Sequence, residues 1–286
     1  MEVSAAGVNF ADLSRVAGTY SGGVRLPYIP GAEIAGRTDD GRRVVAFTFD
    51  GGGFAARAAV STADVAEVPD GVTDGAALAM LVQGLTAWHL LYNSARLRKG
   101  ESVVVNAAAG GVGSLAVQLA REIGAGRVIA AASTTEKRTL AMDLGADVAI
   151  DSEPDGYAER VRGANHGSGA DVVLDANGGA ALTAGLDALT QFGRLVSYGN
   201  ASREGRVPVD PDLLADRNLS VCGFWLRPAL SPDHGFRQPL AELLALVASG
   251  RLRPVTSVEY PLAEARRAFT DIAARRTTGK VVLRIR

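Results

Sequence analysis

The residues best suited to chemistry lie in Asn106–Gly113 (NAAAGGVG), a glycine-rich turn between an apolar run and a helical pattern. Gly110 and Gly111 allow backbone angles that a Cβ hinders and let a pyrophosphate approach the main chain. Gly113 lets the following helix pack tightly on the preceding strand. Phosphates would sit at the helix N-terminus, where free N–H groups and the dipole favour negative charge. The pattern departs from G-x-G-x-x-G at one place, because Ala108 stands at the first glycine position. The bland alternative is a tight strand-to-helix turn with no ligand. The context favours a dinucleotide, since a strand precedes the turn and a helix follows it.

The end of the next strand bears on which dinucleotide fits. An NAD site usually offers an acidic residue there for the ribose hydroxyls. This chain offers Ala131, Ala132 and Ser133, then Thr134, Thr135, Glu136, Lys137 and Arg138, with no carboxylate at the strand end itself. Ser133 can donate to a 2′-phosphate, and Lys137 or Arg138 can neutralise it, which favours NADPH. The alternative is a solvated helix start with surface charges. Elsewhere Asn9, Asp12, Tyr20 and Glu33 are the notable polar residues of a turn-rich first part; Asn9 and Asp12 also read as helix-cap or turn residues. Gln83, Thr86 and His89 lie three apart in the apolar run from Asp74 to Ser94, so they share one face of a helix. His89 has no nearby His or Cys to suggest a metal and reads as a packed histidine.

The elements that must position these groups follow from periodicity. Val103–Val105 are three β-branched residues suited to a strand buried on both faces. Leu115, Leu119 and Ile123 repeat every four residues on one helical face, with Ala116 and Ala120 beside them. Strands are expected at Arg127–Ala132, Ala146–Ile150, Asp171–Asp175, Arg194–Tyr198 and Leu219–Phe224. Helices are expected at Thr135–Leu144, ended by Gly145, and at Ala180–Leu189. A polar loop is expected between Ile150 and Asp171. This alternation argues for a doubly wound parallel α/β sheet, with ligands at the carboxyl ends of its strands. Before it, Val44–Phe49 and Phe54–Val60 are the clearest strand candidates.

Composition bounds the rest. With 286 residues, of which 47% are hydrophobic, the chain can bury one large core or two ordinary ones. A net charge of −1 gives no sign of a general nucleic-acid or membrane-surface binder. The single cysteine, Cys222, excludes an intrachain disulfide and a cysteine-based zinc cluster. No signal-peptide pattern is present, so a reducing cytoplasm is the expected setting. No run approaches transmembrane length without charge or turn residues.

Six ordered segments carry a resemblance: AAGVNFADL (Ala5–Leu13), LPYIPGAEIAG (Leu26–Gly36), QGLTAWHLL (Gln83–Leu91), NAAAGGVGSLAVQLA (Asn106–Ala120), GRLVSYG (Gly193–Gly199) and RTTGKVVL (Arg276–Leu283). Over nearly its whole length the chain resembles the zinc-independent medium-chain dehydrogenase/reductases of the quinone oxidoreductase branch, which includes enoyl reductase domains of polyketide synthases. The resemblance implies a Rossmann-type doubly wound sheet inserted in a GroES-like β domain. The β domain would take residues 1–88 and 251–286, with Val281–Ile285 as a returning strand. The dinucleotide domain would take residues 89–250, and the active site would lie in the cleft. Relatives usually carry further residues ahead of AAGVNF; without them a sheet edge would lie open, and a homodimer could cover it.

The implied activity is hydride transfer from NADPH to a quinone or to the C=C of an activated enone. The cofactor would be held by Thr86, Asn106, Gly110, Gly111, Val112, Gly113, Ser133, Lys137, Tyr198, Gly199 and Phe224. Tyr20 is the candidate proton donor to the enolate, with solvent as the alternative, and Asn9 would face the nicotinamide or substrate. Zinc members place a Cys early in the first motif and a His before the glutamate of the second. Here those places hold non-ligands, with Gly31-Ala32 before Glu33, so no zinc is expected. Two other classes stay open: a relative repurposed as a non-redox cyclase or isomerase, and an NADPH-binding protein with little turnover.

Overall fold

The computed structural model describes residues 1–20, 23–205, 207–230 and 235–285. The chain forms two compact units, one of Met1–Leu85 with Leu230–Arg286 and one of Thr86–Ala229. The strands in chain order are β1 (Glu2–Val8), β2 (Glu33–Arg37), β3 (Arg43–Phe47), β4 (Val65–Glu67), β5 (Ser102–Asn106), β6 (Arg127–Ala132), β7 (Val148–Asp151), β8 (Ala170–Asp175), β9 (Leu189–Ser197), β10 (Ser220–Gly223), β11 (Thr256–Pro261) and β12 (Lys280–Arg284).

In the second unit all strands run parallel in the order β10-β9-β8-β5-β6-β7. The order reverses about β5, which makes a topological switch point at its carboxyl end. Val103, Val104 and Val105 have no exposed surface, as expected of a strand covered on both faces. Helix Gly111–Ile123 buries Leu115, Ala116, Leu119 and Ala120, the face that the four-residue repeat marks. Gly124 ends it with φ 89°, the left-handed cap that glycine supplies at no steric cost. The expected polar loop after Ile150 instead contains helix Tyr157–Ala164, whose Tyr157, Ala158 and Val161 join the core beneath β5, β6 and β8.

The first unit is built on the sheet β11-β12-β1-β2-β3-β4, antiparallel except between β11 and β12. Its core joins Val3, Ala6 and Val8 of β1 to Ile34, Ala46, Val281 and Leu283. The expected strand at Phe54–Val60 is not one. That segment is irregular, with an isolated bridge from Arg57 to Glu2 and backbone bonds running to Met1 and Val3. Helix Arg237–Ala248 falls within the expected dinucleotide domain by sequence; it belongs to the first unit, packed on Met80–Gly84.

The apolar run Asp74–Ser94 is one helix of 21 residues, long and apolar enough to span a membrane by composition, but 78% of its most apolar window is buried within the protein. Two π turns, Met80–Gly84 and Leu90–Ser94, interrupt it. Gln83 lies in the first π turn, Thr86 and His89 lie in the α-helical stretch Leu85–His89 between the two, and all three are buried.

The turn that opens helix Gly111–Ile123 is tight. A Cβ on Gly113 would lie 2.2 Å from the Ala107 carbonyl oxygen and 2.8 Å from Ala108 Cα, both fixed backbone atoms. Gly113→Ala should therefore lower stability by about 1–3 kcal/mol, the usual cost of forced overpacking. Gly163→Ala is the control. Gly163 is helical, exposed and has no atom within 4 Å of the added Cβ, so alanine there should be neutral or slightly stabilising. Chemical denaturation of the two variants against the parent checks both; equal midpoints for Gly113→Ala and the parent would refute the first.

Candidate functional site

In the second unit the parallel register gathers the expected nucleotide residues. Asn106, Ser133, Tyr198, Gly199 and Phe224 stand at or just beyond the carboxyl ends of β5, β6, β9 and β10, hence along one edge of one sheet. Gly110 caps helix Gly111–Ile123 with extended backbone (φ −77°, ψ 177°) and no side-chain capping bond. The first-turn N–H groups of Gly111, Val112 and Gly113 therefore have no side-chain cap, the condition for an anion at a helix start. Ala107 takes φ 51°, a left-handed conformation at a non-glycine residue, and its carbonyl accepts the Gly110 N–H at 2.8 Å.

Behind this turn lies a buried polar cluster that the sequence only partly signals. Asn106, 1% exposed, accepts the Tyr157 hydroxyl on its Oδ1 at 2.6 Å. Asp175, at the end of β8, accepts the N–H groups of Asn177 and Gly178. Burial raises the Asp175 carboxyl, against the lowering effect of those two N–H groups and of the Asn106 side chain. Burial likewise pushes the Tyr157 phenol up, with the charge of Asp175 adding to the effect. The sequence signal for Asp175 is an acidic residue closing an apolar strand run, DVVLD.

At the end of β6, Ser133 is exposed and Thr134 caps the next helix by accepting the Lys137 N–H. Arg138 is committed elsewhere: its guanidinium donates to the Ala132 carbonyl and to Asp151 Oδ2, both at 3.0 Å. The carboxylate of Asp151, opposite Ala132 in the β6–β7 register, is held low first by the Glu153 N–H and also by Arg138. Thr86 is 7% exposed. His89 is a packed residue, with Nδ1 2.8 Å from Asn93 Nδ2 and its ring stacked on Phe224 at 5.9 Å.

In the first unit the motif residues converge on a buried polar group. Asn9 Nδ2 donates to Glu33 Oε1 at 2.7 Å, and Asn9 Oδ1 accepts from Lys280 Nζ at 3.1 Å and Gln83 Nε2 at 3.3 Å. Lys280 Nζ also pairs with Glu33 Oε1, and neither side chain has exposed surface. Glu33 Oε2 accepts the Val82 N–H at 2.9 Å, within the first π turn. Lys280 is not among the residues that the sequence marks for a site; its only hint there is a charge opening the apolar strand KVVL. Tyr20 is half-buried, with the Arg15 guanidinium 4.8 Å above its ring.

Asp12 completes the group. Its Oδ2 accepts the Asn9 N–H at 2.9 Å, and its Oδ1 is buried with no hydrogen-bond partner. Burial above all, with the charge of Glu33 adding, lifts the Asp12 carboxyl from 3.8 to about 6. The Asn9 N–H, Lys280 and Arg15 pull the other way. The folded state thus holds this proton more tightly than the unfolded chain does. The resulting stability is fully present below the unfolded value of 3.8 and is lost as pH rises through about 6. The loss amounts to about 3 kcal/mol for a shift of this size. Asp12→Asn should remove that slope and leave the variant more stable than the parent above neutrality. Urea midpoints of both proteins from acid to mildly alkaline pH check this; parallel curves would refute it.

Comparison with known proteins places this geometry in a family. Residues 111–248 match the sequence profile described as zinc-binding dehydrogenase. The donor set does not fit a zinc ion. Among the described residues no three His, Cys, Asp or Glu converge, and the partner of Glu33 is an ammonium rather than a histidine or cysteine. A quinone oxidoreductase of Pseudomonas aeruginosa is 34% identical over 98% of this chain and 88% of its own length. A polypeptide of the phenolphthiocerol/phthiocerol polyketide synthase of Mycobacterium tuberculosis is 33% identical over the whole chain, which spans 13% of that protein. The quinone oxidoreductase of Thermus thermophilus, solved alone and with NADPH, superposes with a TM-score of 0.87 at 38% identity, covering 100% of this chain and 90% of that one. Full-length similarity, the parallel sheet with its glycine turn, and the antiparallel sheet of the first unit agree: the chain belongs to the quinone oxidoreductase branch of the medium-chain dehydrogenase/reductase family, an oxidoreductase lineage.

Proposed function

We propose that this chain is an NADPH-dependent oxidoreductase that delivers hydride, without zinc, to a quinone or to the C=C of an activated enone. The observation that carries the reading is the uncapped helix start at Gly110–Gly113, at the switch point of a parallel sheet whose next strand is followed by Ser133 rather than a carboxylate. The NADPH complex of the 38% identical Thermus protein supports the choice of cofactor.

In this reading the N–H groups of Gly111, Val112 and Gly113 hold the pyrophosphate, with Asn106 supporting the turn from below. Ser133 and Lys137 take the 2′-phosphate, and Arg138 keeps Asp151 neutralised beside them. Thr86, Tyr198, Gly199 and Phe224 position the nicotinamide half. The bound cofactor supplies the hydride. Tyr20, with the Arg15 guanidinium over its ring, donates the proton that an enolate requires. Asn9 presents the N–H that Glu33 leaves free. The protein is expected to act as a homodimer in the cytoplasm.

Fluorescence titration with NADPH and NADH tests the reading. NADPH should bind about tenfold or more tightly than NADH, and Lys137→Ala should remove most of that preference, as loss of one charge-assisted contact predicts. Binding of neither nucleotide would overturn the assignment. Tyr20→Phe should slow enone reduction more than quinone reduction; an unchanged enone rate would assign the proton to solvent.

A further inference from the structure

The buried group around Lys280 is more than the fold requires. A buried ion pair is a weak source of stability, and well-packed apolar side chains usually serve as well or better. An apolar pair, however, cannot orient a neighbouring amide. The Asn9 carboxamide lies between the two charges, its oxygen on the Lys280 ammonium and its nitrogen on the Glu33 carboxylate. Flipping the amide would set its NH2 against the ammonium and its oxygen against the carboxylate, a doubly repulsive arrangement in a buried site. Gln83 donates to the same oxygen and reinforces the orientation.

The backbone makes room for this arrangement at some cost. A Cβ on Gly7 would lie 2.3 Å from Glu33 Oε1 and 2.6 Å from Lys280 Cε, so only glycine lets the pair meet across β1. The π turn at Met80–Gly84 carries the Val82 N–H that holds the other carboxylate oxygen. Three separated segments thus fix one amide. Of its two N–H bonds, Glu33 takes one, and the other has no partner among the described residues.

We propose that Lys280 is a positioning residue for hydride transfer: with Glu33 it locks the Asn9 carboxamide in one orientation, so that its remaining N–H meets the substrate in fixed geometry. The proposal rests on the oxidoreductase reading above. It adds a role for a lysine 271 residues away from the asparagine it orients.

The test compares the parent, Lys280→Met and the double variant Lys280→Met/Glu33→Gln. The single variant leaves a buried carboxylate without its cation and should lose thermal stability. The double variant is neutral and close in shape, so it should recover most of the lost Tm. Its kcat for NADPH oxidation by 1,4-benzoquinone should still fall by about tenfold or more, with KM and the NADPH dissociation constant within about twofold of the parent. The side-chain amide protons of Asn9, identified by NMR through their loss in Asn9→Asp, should exchange slowly in the parent and rapidly in the double variant. Recovery of kcat together with Tm would overturn the proposal, and so would an Asn9 amide still protected in the double variant. A parent protein that does not oxidise NADPH would overturn the oxidoreductase reading instead, and the Asn9 amide signals would then decide the lock alone.

Discussion

An ammonium and a carboxylate with no exposed side-chain surface set the terms for the first unit. Removing two such charges from water costs several kcal/mol each unless every lone pair and proton finds a partner. The partners are supplied from distant parts of the chain: Asn9 after β1, Glu33 opening β2, Val82 in a π turn, Lys280 opening β12. Their convergence requires β1 to lie between β12 and β2, and it does, with Val8 opposite Val281 and Ala6 opposite Ile34. The sheet order and the polar group therefore support each other. Asp12 is the member least well served. It has one unpartnered oxygen, and the group as a whole holds its proton more readily than an ordinary carboxylate would.

The second unit meets a similar problem in a different way. A fully parallel sheet places all its strand ends, and thus their side chains, along one edge. There the buried polar residues Asn106, Tyr157 and Asp175 are neutral or served by backbone N–H groups, so no buried cation is needed. The two units thus use unlike chemistry: paired charge around one amide in the first, backbone amides at a helix start in the second.

Much of this is legible in the sequence because local pattern and tertiary role coincide. The Val103–Val105 run, the glycine turn and the Leu115/Leu119 face each announce an element whose own residues fix its form, and the parallel alternation follows from them. What the sequence hides depends on partners far away in the chain. Lys280 opens an apolar run, and its role shows only once Glu33, 247 residues distant, is brought beside it. Phe54–Val60 looks like a strand by composition, but its backbone bonds go to Met1 and Val3 in an irregular register. Helix Tyr157–Ala164 reads as loop because Gly156, Gly163 and Asn165 crowd a short span; Tyr157 and Val161, anchored in the core, override that local preference. The spacing of Gln83, Thr86 and His89 is visible, but the π turns on either side of Leu85–His89 leave no simple composition signal.

The pairing of β1 with β12 also bears on how the chain acquires its shape during synthesis. Residues 86–229 form a contiguous unit whose sheet needs no strand from the segments on either side, so it can fold while the ribosome is still at work. The first sheet cannot close until β12 has emerged, because that strand lies between β1 and β11. Until then β1 carries an unpaired edge and Glu33 lacks its cation. Synthesis thus leaves the β12 side of β1 waiting until residues 280–284 have been made. In this topology of high contact order, the newborn chain's exposure to aggregation is concentrated on the open edge of β1.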